Sequence, residues 1–278
     1  MNFKLKKLRN NIIIIIILSL IAITMIYPLI FMIFNSFKSQ PEYILSPLAL
    51  PKSLFLVNYN TIYNSYKILK LFTNSFIIVS ASIFIELFLC SLGAYAFSKH
   101  NFKFKNLTFL LIISMMIVPF QVLMLPLYVM FSKFQLINTK ISLIIIYSAV
   151  MIPFALYYLT KSFRSIPNEV LEAAKMEGAS YFRIYWAIIL PIGKMAIITI
   201  FILDFVWLWN ELVLSLIFLQ SDETKTMVSG VATILNRYLN NQPLLLTGLL
   251  LSSIPTIIIY SFAAKYLIKG ISSGAVKG

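Results

Sequence analysis

A short polar segment between two long apolar stretches has the residue pattern of a docking helix. It begins at Ser165, a residue type that caps helix N-termini, and Pro167 and Glu169 suit a first helical turn. Gly178 can take the left-handed conformation that ends a helix. Ala174 lies four residues before it, so the two share a face that a partner's backbone could approach closely. We predict a helix of about three turns here, followed by a bend.

The chemistry of such a helix would be binding, because the chain has no energy source or catalytic centre of its own. None of its eight glycines belongs to a G-x-x-x-x-G-K-[ST] phosphate loop, so ATP chemistry must belong to another chain. The single histidine, His100, and the single cysteine, Cys90, exclude a histidine–cysteine metal site and an internal disulfide. No H-E-x-x-H motif occurs. We therefore expect no catalytic residue, no metal and no cofactor here, with ATP and magnesium on a partner.

Three acidic residues, Glu86, Asp204 and Glu211, fall inside apolar stretches that would cross a membrane. A carboxylate at the centre of a bilayer costs about 2.5–3.5 kcal/mol or more, so these groups should face other helices or a wet cavity. Two interpretations stay open for each: contact with a solute or a partner subunit, or a structural polar contact with a neighbouring helix. Together with Trp209 and Asn210, which adjoin Glu211, they are the candidate substrate-path residues.

Six apolar stretches must position these residues. Hydrophobic residues make up 60% of the chain and charged residues 12%, against about 25% charged in a soluble domain. Backbone groups cannot stay unpaired in lipid, so apolar runs of this length must be helices. We predict an all-α polytopic membrane protein with one membrane domain over 1–278, an uncleaved first helix and a cytoplasmic loop over 163–187. The six predicted spans are 12–34, 71–97, 107–131, 141–161, 188–218 and 244–267.

The net charge of +14 is explained by membrane topology and does not require a nucleic-acid partner. Short cytoplasmic loops collect lysine and arginine. With the N-terminus inside, the inner segments hold 15 of the 23 basic residues and the outer segments hold 8. We therefore predict that both termini and the docking helix are cytoplasmic. The connection over 219–243, including Tyr238, Asn240 and Asn241, would then be outside and could reach an extracytoplasmic protein.

The sequence around the docking helix resembles the EAA loop of the permease subunits of ATP-binding-cassette (ABC) importers. Glu172-Ala173-Ala174, three further residues, Gly178, nine further residues and Ile188-x-Leu190-Pro191 match that loop at every position. Other segments resemble the carbohydrate-uptake permeases related to the smaller maltose permease subunit: Met116–Gln121, Leu125–Tyr128, Phe163–Pro167, Glu177–Ser180, Trp209–Glu211 and the tail from Lys269 to Gly278. Glu177 stands where that family usually has aspartate.

The resemblance implies the type I ABC importer architecture in a bacterial cell membrane. Two homologous permease subunits would form the path for a carbohydrate, two ATPase subunits would bind the EAA helices, and an extracytoplasmic sugar-binding protein would deliver the solute. Carried onto this sequence, the resemblance implies an ATPase-coupling surface and flanking charges. They are Glu172, Ala173, Ala174 and Gly178, with Arg164, Lys175 and Arg183 at the rim.

Three other functions would require different sequence features. A stand-alone secondary transporter would have no use for the docking helix, and we see no internal repeat of the kind such transporters often carry. An intramembrane enzyme is disfavoured because the embedded acids show no paired catalytic spacing. Within ABC importers, a permease for a polyol, a glycerol phosphodiester or an amino acid would share the EAA loop. The Glu-Gly-Ala-Ser run and the Trp-Asn-Glu motif favour carbohydrate.

Overall fold

The apolar stretches form long helices in the computed structural model. It describes the backbone of residues 2–237 and 241–275, with the side chains of 11–233 and 241–263, and these ranges contain helices and no strand. The helices are α1 (Asn2–Ser36), α2 (Gln40–Leu45), α3 (Val57–Ser65), α4 (Ile68–Lys99), α5 (Lys105–Ser114), α6 (Phe120–Lys133), α7 (Lys140–Arg164), α8 (Asn168–Met176), α9 (Tyr181–Ile184), α10 (Leu190–Trp209), α11 (Val213–Phe218), α12 (Met227–Arg237) and α13 (Gln242–Ala275).

Five of the predicted spans are single helical runs long and apolar enough to cross a membrane. These runs are Asn11–Ser36, Ile68–Lys99, Lys140–Arg164, Tyr181–Trp209 and Gln242–Ala263, and a bent pair, Lys105–Ile117 with Phe120–Lys133, supplies a sixth. The prediction of an all-α polytopic protein is confirmed. Tyr238, Asn240 and Val276–Gly278 lie outside the described residues.

The third predicted span, 107–131, is not one straight helix. Its two halves meet at an angle of 99°, and the backbone of Val118 is extended between them. Pro119 explains the break, because proline has no backbone N–H and disfavours helical geometry in the residue before it. A second proline, Pro126, stays within α6.

The fifth predicted span is also placed differently from the predicted 188–218. The helical run starts at Tyr181, passes through a π-helical turn at Tyr185–Ile189 and ends at Trp209. Pro191 lies in the first turn of α10, where the missing N–H of proline breaks the regular hydrogen-bond ladder, and the π turn lies just before it. Val213–Phe218 form the separate short helix α11, because Glu211 caps a new helix.

The chain divides into two compact units. The first comprises Met1–Ile68 and Val231–Ile254. In this unit the fully buried Lys38 donates through Nζ to the carbonyl oxygens of Ser46 (2.9 Å) and Pro47 (3.2 Å). The Asn58 amide donates to the carbonyl oxygens of Ser36 and Lys38. These bonds order the connection that follows α1.

The second unit, Leu69–Gly230 and Pro255–Gly278, contains the site residues. Helix α10 packs along α7, and a buried cluster including Ala94, Leu159, Leu171 and Ile189 joins α4, α7, α8 and the start of the fifth span. A Cβ atom on Gly193 would lie 2.3 Å from Phe163 Cε1. Only glycine therefore permits the present approach of α10 to α7.

We expect Gly193→Ala to lower the free energy of unfolding by about 1–3 kcal/mol, because the added methyl group overpacks a buried contact. Denaturant titration of the full chain in mixed micelles measures this loss. Phe163→Leu in the Gly193→Ala background should restore part of it. Gly93→Ala is the control, since its Cβ would lie 3.0 Å from the mobile end of Leu156 and should cost less. Equal stability of wild type and Gly193→Ala would contradict the packing described here.

Candidate functional site

The docking helix predicted from the sequence is α8, nine residues long, between Pro167 and Gly178. Gly178 has a φ of +81°, and the N–H groups of Gly178 and Ala179 donate to the carbonyl oxygens of Lys175 and Ala174, both at 2.9 Å. This left-handed ending confirms the sequence prediction. Ser180 caps α9 by accepting from the Arg183 N–H at 3.3 Å.

The predicted N-cap of this helix is wrong. Ser165 ends α7, and its hydroxyl donates back to the Ser162 carbonyl at 2.7 Å. Pro167 immediately precedes α8 with an extended backbone, and no side chain caps the helix. The cause is local: proline disfavours helical geometry in the preceding residue, Ile166, which moves the N-cap two residues along the chain, from Ser165 to Pro167.

Two contacts fix α8 to the bundle. Leu171 is the buried side chain of the helix, and Ala174, three residues on, packs half-buried against the same core cluster. At the N-terminal end, Lys99 Nζ donates to the Ile166 carbonyl oxygen and, at 3.0 Å, to Asn168 Oδ1. Lys99 is the last residue of α4, so the second span is tied directly to the first residue of α8.

The opposite face of α8 is exposed. Successive side chains of an α-helix are rotated by about 100° around its axis. Ala173 and Met176 therefore lie on the side away from Leu171 and Ala174. Glu172 and Ala173 are exposed, and Met176 has 89% of its surface exposed. Of the small residues predicted to dock, Ala173 therefore faces outward while Ala174 faces its own bundle.

Sequence reasoning missed Met176. The signal was present, since Met176 falls on the same helical face as Ala173 at the i, i+3 spacing. An exposed methionine on a rigid helix is a good docking side chain, because its flexible thioether adapts to irregular apolar pockets.

The predicted rim charges surround α8 without pairing across its outward face. Lys175 Nζ lies 5.8 Å from the ring centre of Tyr181, and the Arg164 guanidinium lies 5.7 Å from that of Phe109. Arg183 is exposed at the first turn after the bend. The three cations are thus available to acidic groups of a partner.

The His100 ring makes edge-to-face contacts with the rings of two tyrosines. Its ring centre lies 4.8 Å from that of Tyr95 and 5.1 Å from that of Tyr181. Burial, followed by the positive charges of Lys175 and Lys105, lowers the pKa of His100 below its ordinary value. The ring is therefore neutral at pH 7, and it serves as an aromatic spacer that positions Tyr181 next to α8.

The candidate substrate-path residues do not form one cluster. Glu211 is a helix cap: its carboxylate accepts from the N–H groups of Leu214 (2.8 Å) and Ser215 (3.2 Å) and from the Tyr147 hydroxyl (2.8 Å). The indole of Trp209 is buried between Phe72 and Phe205. These contacts give both residues a structural role in the second unit.

Asn210 is the candidate whose side chain is exposed. Its amide donates to the Val206 carbonyl oxygen at 2.7 Å and to Thr256 Oγ1 at 3.4 Å. The Asn210 amide therefore lies at the surface while bonded to its own helix and to Thr256.

Glu86 and Asp204 form a buried acidic pair at membrane depth. Their side chains are 0% and 3% exposed, and the two carboxyl groups are close enough for their charges to interact. No described side chain donates to either Glu86 oxygen. Asp204 precedes Glu211 by two helical turns, or about 10 Å, so the pair lies apart from the cap.

The comparison with known families identifies the kind of protein to which this chain belongs. Residues 88–273 match the model of the binding-protein-dependent transport system inner membrane component. The chain belongs to this family. The permease is therefore a multi-pass membrane component of a transport system that depends on a binding protein.

Curated relatives match the permease over nearly its whole length. The arabinooligosaccharides transport system permease protein AraQ of Halalkalibacterium halodurans is 31% identical over 262 residues, which is 93% of each chain. The melibiose/raffinose/stachyose import permease protein MelC of Bacillus subtilis is 30% identical over 261 residues, which is 94% of each chain.

A solved structure has the same fold. The permease aligns with a TM-score of 0.80 to a chain in the crystal structure of a bacterial ABC transporter involved in the import of the acidic polysaccharide alginate. The two chains are 22% identical, and the alignment covers 92% of this chain and 95% of that one. The expected ABC importer permease architecture is confirmed.

We expect Lys99→Met to loosen the start of α8, because it removes the charged donor that holds Ile166 and Asn168. Hydrogen bonds to charged groups contribute about 1.5–3 kcal/mol, so backbone amide exchange over 163–178 should accelerate at least about tenfold. Hydrogen–deuterium exchange of the full chain, read by mass spectrometry, measures this. Lys161→Met, an exposed lysine on α7, should leave the exchange unchanged. If amide exchange in Lys99→Met stays at the wild-type rate, the hydrogen bonds of Lys99 do not hold the start of α8 in place.

Proposed function

We propose that this permease forms half of the translocation path of an ABC importer for oligosaccharides. In this proposal α8 is the coupling helix that a separate ATPase subunit binds, and ATP and magnesium belong to that subunit. A second permease subunit completes the path, and an extracytoplasmic binding protein delivers the solute. Both termini and α8 are cytoplasmic.

The observation that carries the proposal is the two-sided character of α8. One face is fixed to the bundle through Leu171 and Ala174, while Met176, Ala173 and Glu172 project outward. A helix that only joined two spans would not need to present an apolar side chain on a fixed, exposed face. A helix that transmits force to the spans needs both faces.

The contacts of α8 also provide a route for coupling. Its N-terminal end is hydrogen-bonded to α4 through Lys99, and its buried face packs in the cluster that α7 and the start of the fifth span share. A displacement of α8 would therefore act on three spans together. In energetic terms, ATP binding by the partner would favour one of two packings of the bundle.

The substrate class rests on the relatives. AraQ and MelC are named for arabinooligosaccharides and for melibiose, raffinose and stachyose, and each matches the permease over more than nine-tenths of both chains. Among the candidate path residues, Asn210 has an exposed amide of the kind that hydrogen-bonds sugar hydroxyls. We propose Asn210 as the contact with the solute.

We expect Met176→Asp to abolish coupling, because it places a charge where an apolar side chain would enter the partner's cleft. In a strain lacking the chromosomal gene, uptake of labelled raffinose and arabino-oligosaccharides should fall at least about tenfold, with equal permease in the membrane. Met176→Leu, which conserves volume and apolar character, should transport within about twofold of wild type.

Two results would contradict different parts of the proposal. Normal uptake by Met176→Asp would show that α8 is not the coupling helix. Uptake of labelled amino acids, with none of any oligosaccharide tested, would overturn the carbohydrate assignment while leaving the coupling proposal intact.

A further inference from the structure

A basic pocket lies at the membrane boundary beside α8, where three predicted spans begin or end. The C-terminal end of α4, the N-terminal end of α5 and the C-terminal end of α7 meet there. The pocket has a volume of about 400 Å³, and it is lined by Arg164, by the connection between α4 and α5, and by the first turn of α5. Lys105 and Arg164 supply the charge, and the amides of Asn101 and Asn106 supply neutral hydrogen-bonding groups.

The two cations are brought together without a carboxylate. Arg164 lies close enough to Lys105 for their charges to repel, and none of the described residues lining the pocket is acidic. Lys105 Nζ is oriented by a 2.7 Å bond to the His100 carbonyl oxygen. Two like charges held in one pocket are stabilised when an anion enters between them.

The surroundings of the pocket are apolar and exposed. Phe102, Phe104 and Leu107 line it with exposed side chains. Leu107, Leu110 and Leu111 follow the i, i+3, i+4 spacing along α5, and all three are exposed. An apolar stripe thus leads from the pocket along a membrane helix. This arrangement matches an amphiphile with an anionic head and hydrocarbon tails better than a soluble anion or an acidic protein surface.

We propose that this pocket binds the phosphate headgroup of an anionic phospholipid, with the acyl chains lying along α5. Lys105 and Arg164 hold the phosphate, and Asn101 and Asn106 contribute neutral hydrogen bonds. Basic side chains at a membrane surface are attracted to the negative charge of anionic lipid. The bound lipid would stabilise the loop that follows Lys99. Because Lys99 is hydrogen-bonded to Asn168, it would also stabilise the start of α8.

The test is a lipid titration of the full chain purified in mild detergent, with bound lipid counted by native mass spectrometry. The probes are phosphatidylglycerol and, for comparison, phosphatidylcholine. We expect Lys105→Gln/Arg164→Gln to weaken phosphatidylglycerol binding at least about tenfold. The charge-conserving pair Lys105→Arg/Arg164→Lys should retain binding, which separates loss of the site from loss of the fold.

A matched control separates this pocket from general surface charge. Lys161→Gln/Lys194→Gln removes the same charge from two exposed lysines that do not line the pocket, and it should change binding less than about twofold. Equal weakening in both double variants would overturn the proposal in favour of diffuse attraction.

Two further outcomes also overturn the proposal. Displacement of phosphatidylglycerol by inorganic phosphate at equal concentration would mean a free-anion site. Unchanged lipid binding in Lys105→Gln/Arg164→Gln, with loss of a co-purifying ATPase, would mean a protein-docking surface.

Discussion

The attachment of α8 to the membrane bundle is the constraint on which the rest of the site depends. A helix of nine residues outside the membrane has little stability of its own, since isolated helices of this length are marginal in water. Leu171 in the core, Lys99 at one end and the left-handed Gly178 at the other hold it in a single position. Because these contacts use one face, the other face is left exposed.

Polar contacts inside the membrane region join the spans that α8 would move. Ser148 Oγ donates to the Ser82 carbonyl oxygen at 3.1 Å, which connects α7 to α4. The hydroxyls of Ser91 and Tyr185 lie 2.7 Å apart, which connects α4 to the start of the fifth span. Such bonds average about 0.6 kcal/mol in membrane proteins. Several of them at different depths, together with the buried Glu86–Asp204 pair, would make these helices move as one body.

The sequence predicted most of this arrangement because the bilayer and a short motif each impose a strong pattern. Apolar length identified the spans, and Gly178 with the preceding Glu-Ala-Ala run located α8 and its ending. The break at Pro119 was visible as a proline, but its angle depends on packing that no local pattern encodes.

The individual site residues were harder to assign. For Glu211 and Trp209 the sequence left both a solute contact and a structural contact open, and the structure engages them in a helix cap and an aromatic stack. Met176 and Lys99 were missed because their importance comes from which face of α8 is buried and which end is tied. Both facts are set by tertiary contacts rather than by spacing alone.

The most direct test of the account is a cross-linking experiment at position 176 in native membranes. Met176→Cys and, as the control, Lys161→Cys are treated with a short thiol-reactive photo-cross-linker. The native Cys90 is buried and should not react. The account predicts that Met176→Cys gives a covalent product with an ATPase subunit, in a yield that changes with ATP, and that Lys161→Cys gives none. No ATPase product from Met176→Cys, or equal products from both variants, would contradict it.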